Sequence, residues 1–563
     1  MAAPTNPAPQ LNQQVLDYLI AATTNEAVGI ELWNAINLAL DSDLRIGRTQ
    51  VLGGQSGNFL KVGPSGLLSQ GSGGGGQGTF LPDGSTVSGS YDGDVICGGT
   101  LTLSGDLTVT GDLVVNTDLV NQRGYGLTVY GDLIVKNHFA FTPTGPVGSQ
   151  GNVLIYGDFV FGYGNFNPQS GFNPYLEIGG DFTSNNQSSF DGSGAPETQG
   201  LNIYVGGDLD IEDVYLQGGD SAGNSSAGSG GYLYVSGDCF IIDYLNLGGG
   251  NSSYAVRNAG NGGQLYCYGD ATLYTYASGG TASNDASGGY GGDVEIYGDL
   301  IGGYVQVNGG DCGSSQGNHS AGRGGYCYIG GDVIYGPSIQ LNGGTRYGVI
   351  TGGGGASSPD GGNFYCAGGA IWQVICNGGQ DISTNPTANA GSGGSIYFYA
   401  PASVNNSLVA DGGNGGLNGG NGGYIQGQGS LDLGSNLEIN GGNNDIGTNG
   451  SVGTARVAGL TCTNVYMQDG SGIGAAPVNT GGLYMMGSVF ASLIYATNRD
   501  AIQIVNQFYN NWPCTLLIEA LGPKTVFTNP NGSNTGDVSS FIGNSIFFCT
   551  TVGGWKQTPG TSL

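Results

Sequence analysis

Residues 101–136 read LTLSGDLTVTGDLVVNTDLVNQRGYGLTVYGDLIVK. Short runs alternate apolar with polar residues, and three of the junctions between them are Gly-Asp. Runs of four to six residues are too short for helices, and a period of two turns one face inward and the other outward, so these are strands. Working outward, the doublet recurs in LIYGDFVF, EIGGDFTS, YVGGDLDI, YVSGDCFI, CYGDATLY, EIYGDLIG and YIGGDVIY. Its aspartates are Asp106, Asp112, Asp132, Asp158, Asp181, Asp208, Asp238, Asp270, Asp299 and Asp332, and after the first pair the step widens from 20 to as many as 33 residues. NFYCAGGAIW, SIYFYAPASV and YIQGQGSLDL fill the same slot without the aspartate. A second register, Gly-Gly opening GGYLYV, GGQLYC, GGDVEI and GGYCYI, keeps the same period. Two registers with one period identify an internal repeat.

One such repeat cannot bury its apolar face alone, whereas stacked repeats share a continuous core. The expected fold is therefore all-β, a parallel β-helix (β-solenoid). About 20 residues suffice for a three-sided coil. The later repeats carry some ten more in Gly/Ser/Asn loops, which should form a row along one corner, and about a dozen coils are expected. Glycine serves either where φ must be positive or where coils approach closely. Stacked aspartates would lie about 4.8 Å apart, at a cost of roughly 1 kcal/mol per neighbouring pair in water. The expectation is that each aspartate accepts a backbone N–H that closes a turn, with its glycine supplying an unusual dihedral. The alternative is a row of Ca²⁺ sites, although the calcium-binding nonapeptide GGxGxDxUx is not met. No other cofactor is expected.

Composition narrows the function. Of 563 residues, 116 are glycine and 9% are charged, and 41 acids against 12 bases give a net charge of −29. Paired glycines at long spacing exclude collagen, which needs one at every third position. The four lysines, Lys61, Lys136, Lys524 and Lys556, make no basic stripe for nucleic acid. No continuous apolar run of about 20 residues is present to insert into a membrane. With 38% hydrophobic residues and 32 tyrosines, the chain has enough to bury to escape disorder. The ten cysteines form no C-x-x-C and there are only two histidines, His138 and His319, so buried free thiols are expected rather than zinc sites. The N-terminus has no basic-then-apolar signal pattern, which fits folding in a reducing cytosol.

Residues 1–50 differ from the rest. Leu11, Val15, Tyr18, Leu19 and Ala22 share one helical face, and a second run carries Leu32, Ile36 and Leu40 after a Thr23/Glu26 capping-box spacing. The expected organisation is a short N-terminal helical segment (1–50) for attachment or oligomerisation, a Gly-rich linker with short strands (51–94), a solenoid with Gly-rich corner loops (95–495), and a small C-terminal β cap (496–563). In the cap, TLLIEAL, TVFTN, VSSFI and SIFFCT read as strands.

The ending SIFFCTTVGGWKQT and the early NFLKVGPSGLL resemble the corresponding parts of bacteriophage tail-fibre and tailspike proteins. GGNGGLNGGNGG at 412–423 is similar to the polyglycine loops of some phage adhesins, and the Gly-Asp-Leu repeats resemble those of the much shorter bactofilins. The tail-fibre resemblance implies a virion appendage assembled in the host cytoplasm. It implies a homotrimer, attachment to other virion proteins through the N-terminal segment, and recognition of a host surface glycan. The residues leave two alternatives. One is a polysaccharide-degrading tailspike, for which adjacent Glu212 and Asp213 are the most conspicuous acids, although neighbouring strand residues face opposite sides. The other is a capsid decoration or structural filament without receptor contact. No catalytic residue is assigned, since no G-x-S-x-G, H-E-x-x-H or Walker loop is present.

Overall fold

The computed structural model describes residues 78–470 apart from short internal stretches, and beyond them only the backbone of several strands, with Leu60–Val62 and Leu68–Gln70 upstream. The expected helices of residues 1–50 lie outside the described residues. The chain divides into two compact units between Gly78 and Thr79. In the first, Leu60–Val62 pairs antiparallel with Leu68–Gln70. The second is all-β, and no helix occurs among the described residues.

Alternation at six-residue spacing builds the first coils. Val95, Leu101, Leu107, Leu113 and Leu119 are six apart and all buried, with Cys97, Leu103, Val109 and Val115 two residues further on. Three such strands make one coil, and each strand pairs in parallel with its equivalent a coil later. We number the faces by the Gly-Asp corner. Face 1 precedes the doublet (Leu127–Val129, Val153–Ile155, Tyr175–Ile178, Asn202–Val205, Tyr232–Val235). Face 2 follows it (Leu113–Val115, then Leu133, Phe159, Phe182, Leu209 and Cys239 as leading residues). Face 3 comes next (Leu119–Asn121, then Phe139–Phe141). This is a three-faced, parallel β-solenoid-like stack.

The face 2 column runs unbroken through 16 segments, from Thr79–Leu81 to Val489. About a dozen was expected from the repeats; the segments beginning at Thr79 and Val95 at one end and Leu460 and Val489 at the other account for the excess. The first strand of the column, Thr79–Leu81, lies within the tract read as linker and pairs with Val95–Cys97. At the other end face 3 continues to Cys514–Ala520, past residue 495, and Gly543–Thr550 and Gly554–Pro559 then add antiparallel. TVFTN and VSSFI lie outside the described residues.

The interior is one continuous apolar column. Phe139, Phe141, Phe159, Phe161, Phe166, Phe182 and Phe190 fill its early coils, with ring centroids 4.2–6.5 Å apart. Each buried ring of this size contributes about 2–3 kcal/mol relative to exposure. All eight described cysteines are buried free thiols. Burial pushes the Cys366 thiol up to about 12, so it stays protonated and behaves as a small hydrophobe.

From about residue 190 onward each coil makes an excursion between face 3 and face 1. The outgoing limb Gly218–Ser221 bonds to its equivalent one coil later through Gly218 N–H to Gly248 O and Ser221 N–H to Asn251 O. The returning limb does likewise through Ala227 to Asn258 and Gly230 to Asn261, while Gly228 donates across to Gly219 of its own coil. Bonding recurs every third residue, the period of the threefold extended chain that makes no bond to itself. Crossing bonds form a zigzag along the stack: Gly250 to Gly228, Gly260 to Gly250, Gly280 to Gly260, Gly289 to Gly280, Gly310 to Gly289 and Gly322 to Gly310, at 2.8–3.0 Å. None of these glycines has a positive φ. They are glycine because a Cβ would overlap a neighbouring carbonyl; at Gly260 it would run into Gly228 O. Of the two reasons given for glycine above, close approach governs this flank.

Candidate functional site

The Gly-Asp corner forms a ladder. Each aspartate's Oδ1 accepts the backbone N–H of the aspartate one coil later, from Asp94 through Asp112, Asp132, Asp158, Asp181, Asp208, Asp238, Asp270 and Asp299 to Asp332, at 2.8–3.0 Å. The bond therefore joins successive coils rather than closing a turn within one. Gly93, before Asp94, has φ of +86°, but from Gly111 onward the preceding glycine has an ordinary φ and is required because a Cβ would strike the carboxylate below, as at Gly207 over Asp181. Asp106 stands apart from the series. It occupies the face 3–face 1 corner, where its Oδ1 accepts from Gly126 N at 2.8 Å. The doublets at Asp106 and Asp112 are six residues apart, one strand rather than one coil. Asp94, in YDGDVIC, takes the first place. A hydrogen bond to a charged group contributes about 1.5–3 kcal/mol, which exceeds the roughly 1 kcal/mol of repulsion between solvated neighbours. Among the described residues no three His, Cys, Asp or Glu side chains cluster in a way that would hold a metal ion.

The outward positions of face 1 carry tyrosine in successive coils. Tyr204 lies 5.3 Å from Tyr232, which lies 5.5 Å from Tyr266; Tyr234 packs on Tyr268 at 5.3 Å, and Tyr268 stacks on Tyr297 at 4.6 Å. Further on, Tyr326, Tyr365, Tyr397 and Tyr424 continue at 4.6–5.5 Å. Stacking along the axis is thus the structural role of many tyrosines. These rings remain accessible. Burial, then the neighbouring tyrosines, pushes Tyr232 up to about 12. Tyr297 is raised by its hydrogen bond to Glu295 Oε2 at 2.7 Å.

One interruption turns this face into a site. The residue immediately before each Gly-Asp lines the face 1–face 2 corner. It is Asp92 and Thr110, then Tyr130 and Tyr156, stacked at 4.8 Å, then Gly179, Gly206 and Ser236, then Tyr268 and Tyr297, and last Gly330. Three coils without a ring leave a groove of about 540 Å³ lined by Tyr175, Glu177, Tyr204, Tyr234, Ser236 and the two glycines. Gly179 and Gly206 are fixed by packing, since a Cβ at each would run into the carbonyl oxygen of Tyr156 or Gly179. The groove offers phenol faces and hydroxyls, one seryl hydroxyl and the Glu177 carboxylate.

Glu212 and Asp213 lie elsewhere, at the face 2–face 3 corner. A register shift between Ile211 and Asp213 leaves both outside the core, against the expectation that they face opposite sides. Asp213 Oδ2 accepts from Ser189 Oγ at 3.0 Å. The chain matches no protein-family model, no curated protein and no solved structure.

Proposed function

We propose that the chain is a virion appendage of the tail-fibre or tailspike kind, whose tyrosine face binds a host surface glycan. The observation that carries the binding role is the gap at Gly179, Gly206 and Ser236 between the stacked pairs Tyr130–Tyr156 and Tyr268–Tyr297, rimmed by Tyr175, Tyr204 and Tyr234. Sugar rings pack their C–H faces on aromatic rings while hydroxyls find polar partners, and tyrosine supplies both. The appendage role rests on the resemblance of the two ends of the sequence to such fibres. On this reading residues 1–50 attach to other virion proteins, residues 496–563 form the tip, and the protein is a homotrimer. Cleavage by paired carboxylates needs two acids about 5–9 Å apart. The groove lining offers Glu177 alone, so binding without hydrolysis is the reading this site favours.

Immobilised glycans test the binding role. Tyr204→Ala and Tyr234→Ala should each weaken retention about tenfold, the scale of one lost aromatic contact, with the β circular-dichroism spectrum unchanged. Unaltered retention in both variants refutes the groove. New reducing ends in the glycan would move the reading to a depolymerase.

A further inference from the structure

A second feature lies at another corner, between faces 2 and 3, in later coils. Tyr335 has φ of +62°, in the left-handed region that is unfavourable for any residue with a Cβ. Gly336 follows with φ of +65°. One coil earlier the same corner is turned by Gly302 and Gly303, at φ of +76° and +109°. Glycine thus suffices for this bend, and the backbone does not ask for a tyrosine. Nor does packing, because the Tyr335 side chain is 83% exposed. A bulky residue held in a disfavoured conformation with its ring in solvent points to a role outside folding.

The surroundings specify that role. Trp372, one coil later, is 49% exposed at the same corner, and its N–H donates to Pro337 O at 2.9 Å. Gly336, next to Tyr335, lies bare beside Trp372 and Asn405; a Cβ there would sit 3.9 Å from Trp372 Cβ and 3.6 Å from Asn405 Nδ2. Asn406 Nδ2 donates to Gln373 Oε1 at 3.1 Å beside them. Neither ring stacks on another among the described residues. Two open aromatic faces, a bare glycine and a rim of carboxamides, with no charged side chain in the set, match an uncharged polyhydroxylated ring. We infer that Tyr335, Trp372, Asn405 and Gln373 form a second carbohydrate site, for a neutral pyranose, separate from the tyrosine groove. It stands on its own observations and does not require the groove to bind.

Titration calorimetry with neutral hexasaccharides of glucose, galactose, mannose and N-acetylglucosamine tests it on the full chain. At least one should bind. Tyr335→Gly and Trp372→Ala should each weaken it about tenfold, while Tyr204→Ala leaves it unchanged. Tyr335→Gly should also keep or raise the melting temperature, because glycine accepts that φ freely. Three results overturn the proposal: none of the four oligosaccharides binds, only Tyr204→Ala weakens binding, or Tyr335→Gly lowers the melting temperature and shows the ring to be structural. The second of these would leave the groove standing, whereas loss in the corner variants alone would leave the groove without support.

Discussion

The apolar interior and the glycine flank solve the same stacking problem with opposite means. Inside the coils, side chains do the joining: Phe159 lies 5.1 Å from Phe182, and removing either leaves a void. In the flank, backbone meets backbone, and the absence of a side chain is what allows contact. Gly260 accepts from Gly280 and donates to Gly250 with no room for a methyl group. The interior therefore penalises loss of atoms and the flank penalises gain. A composition with so much glycine is compatible with rigidity when its N–H and C=O groups are satisfied by neighbouring limbs.

The sharpest way to break this contrast is to make one substitution in two places. Gly260→Ala should cost about 4–5 kcal/mol, at the extreme of single-residue effects, because the Cβ runs into a carbonyl that is itself hydrogen-bonded. Gly84→Ala should cost about 1–2 kcal/mol, since Gly84 has φ of +75° but open space around its Cβ position. Chemical denaturation of both variants measures the difference. Equal effects would show that the flank yields easily and carries little of the stability.

How much of this was legible follows from the same contrast. Alternation and Gly-Asp announce the coils because side chains carry that signal. The six-residue spacing of Val95, Leu101, Leu107, Leu113 and Leu119 also separates Asp106 from Asp112, since one strand is not one coil. The groove was visible in principle: the residue before Gly-Asp changes from Tyr to Gly, Gly, Ser and back to Tyr in the quoted repeats. What pattern alone does not convey is partnership between backbones. The Gly-Gly pairs mark a period, but which limb donates to which is set by three-dimensional stacking. The bend at Tyr335 is hinted at by the Gly-Pro that follows, yet nothing local assigns the left-handed φ to the tyrosine rather than to the glycine.

Asp411 sits where the interior hands over to the flank, and it sharpens the comparison through pH. It follows Asn342 and Asn377 in a carboxamide ladder, with its own N–H on Asn377 Oδ1 and its Oδ1 accepting from Asn440 N. Burial, only partly offset by the Asn440 hydrogen bonds, pushes its carboxyl up to about 6. A native value above the unfolded one, near 4, means the folded chain holds the proton more tightly between about pH 4 and 6. Its contribution to stability is greatest at the acid end, falls as pH rises through that window, and is lost above about 6. The full difference is about 3 kcal/mol, of which about 1 kcal/mol falls between pH 5 and 8. Asp411→Asn keeps the ladder acceptor and should remove this slope. Comparing the denaturation midpoints of wild type and variant at pH 5 and 8 isolates it, and parallel shifts would refute the assignment.

The aspartate ladder is the smallest test, at the face 1–face 2 corner, where Asp208 lies two residues beyond Gly206 of the groove. There the acceptor matters more than the charge. Asp208 Oδ1 takes the N–H of Asp238 at 2.8 Å, and the side chain is exposed. Asp208→Ala should cost about 1 kcal/mol, the roughly 1.5–3 kcal/mol of one bond to a charged acceptor less the repulsion from two neighbours, at most about 1 kcal/mol each. Asp208→Asn retains an oxygen in the same place and relieves two like-charge neighbours, so it should fall within about 0.5 kcal/mol of wild type. The later coils already make that exchange at their own ladder, where Asn308, Asn342 and Asn377 accept in sequence. If Asn proves as costly as Ala at Asp208, the negative charge itself is required along this corner, and a row of cations becomes the better account of it.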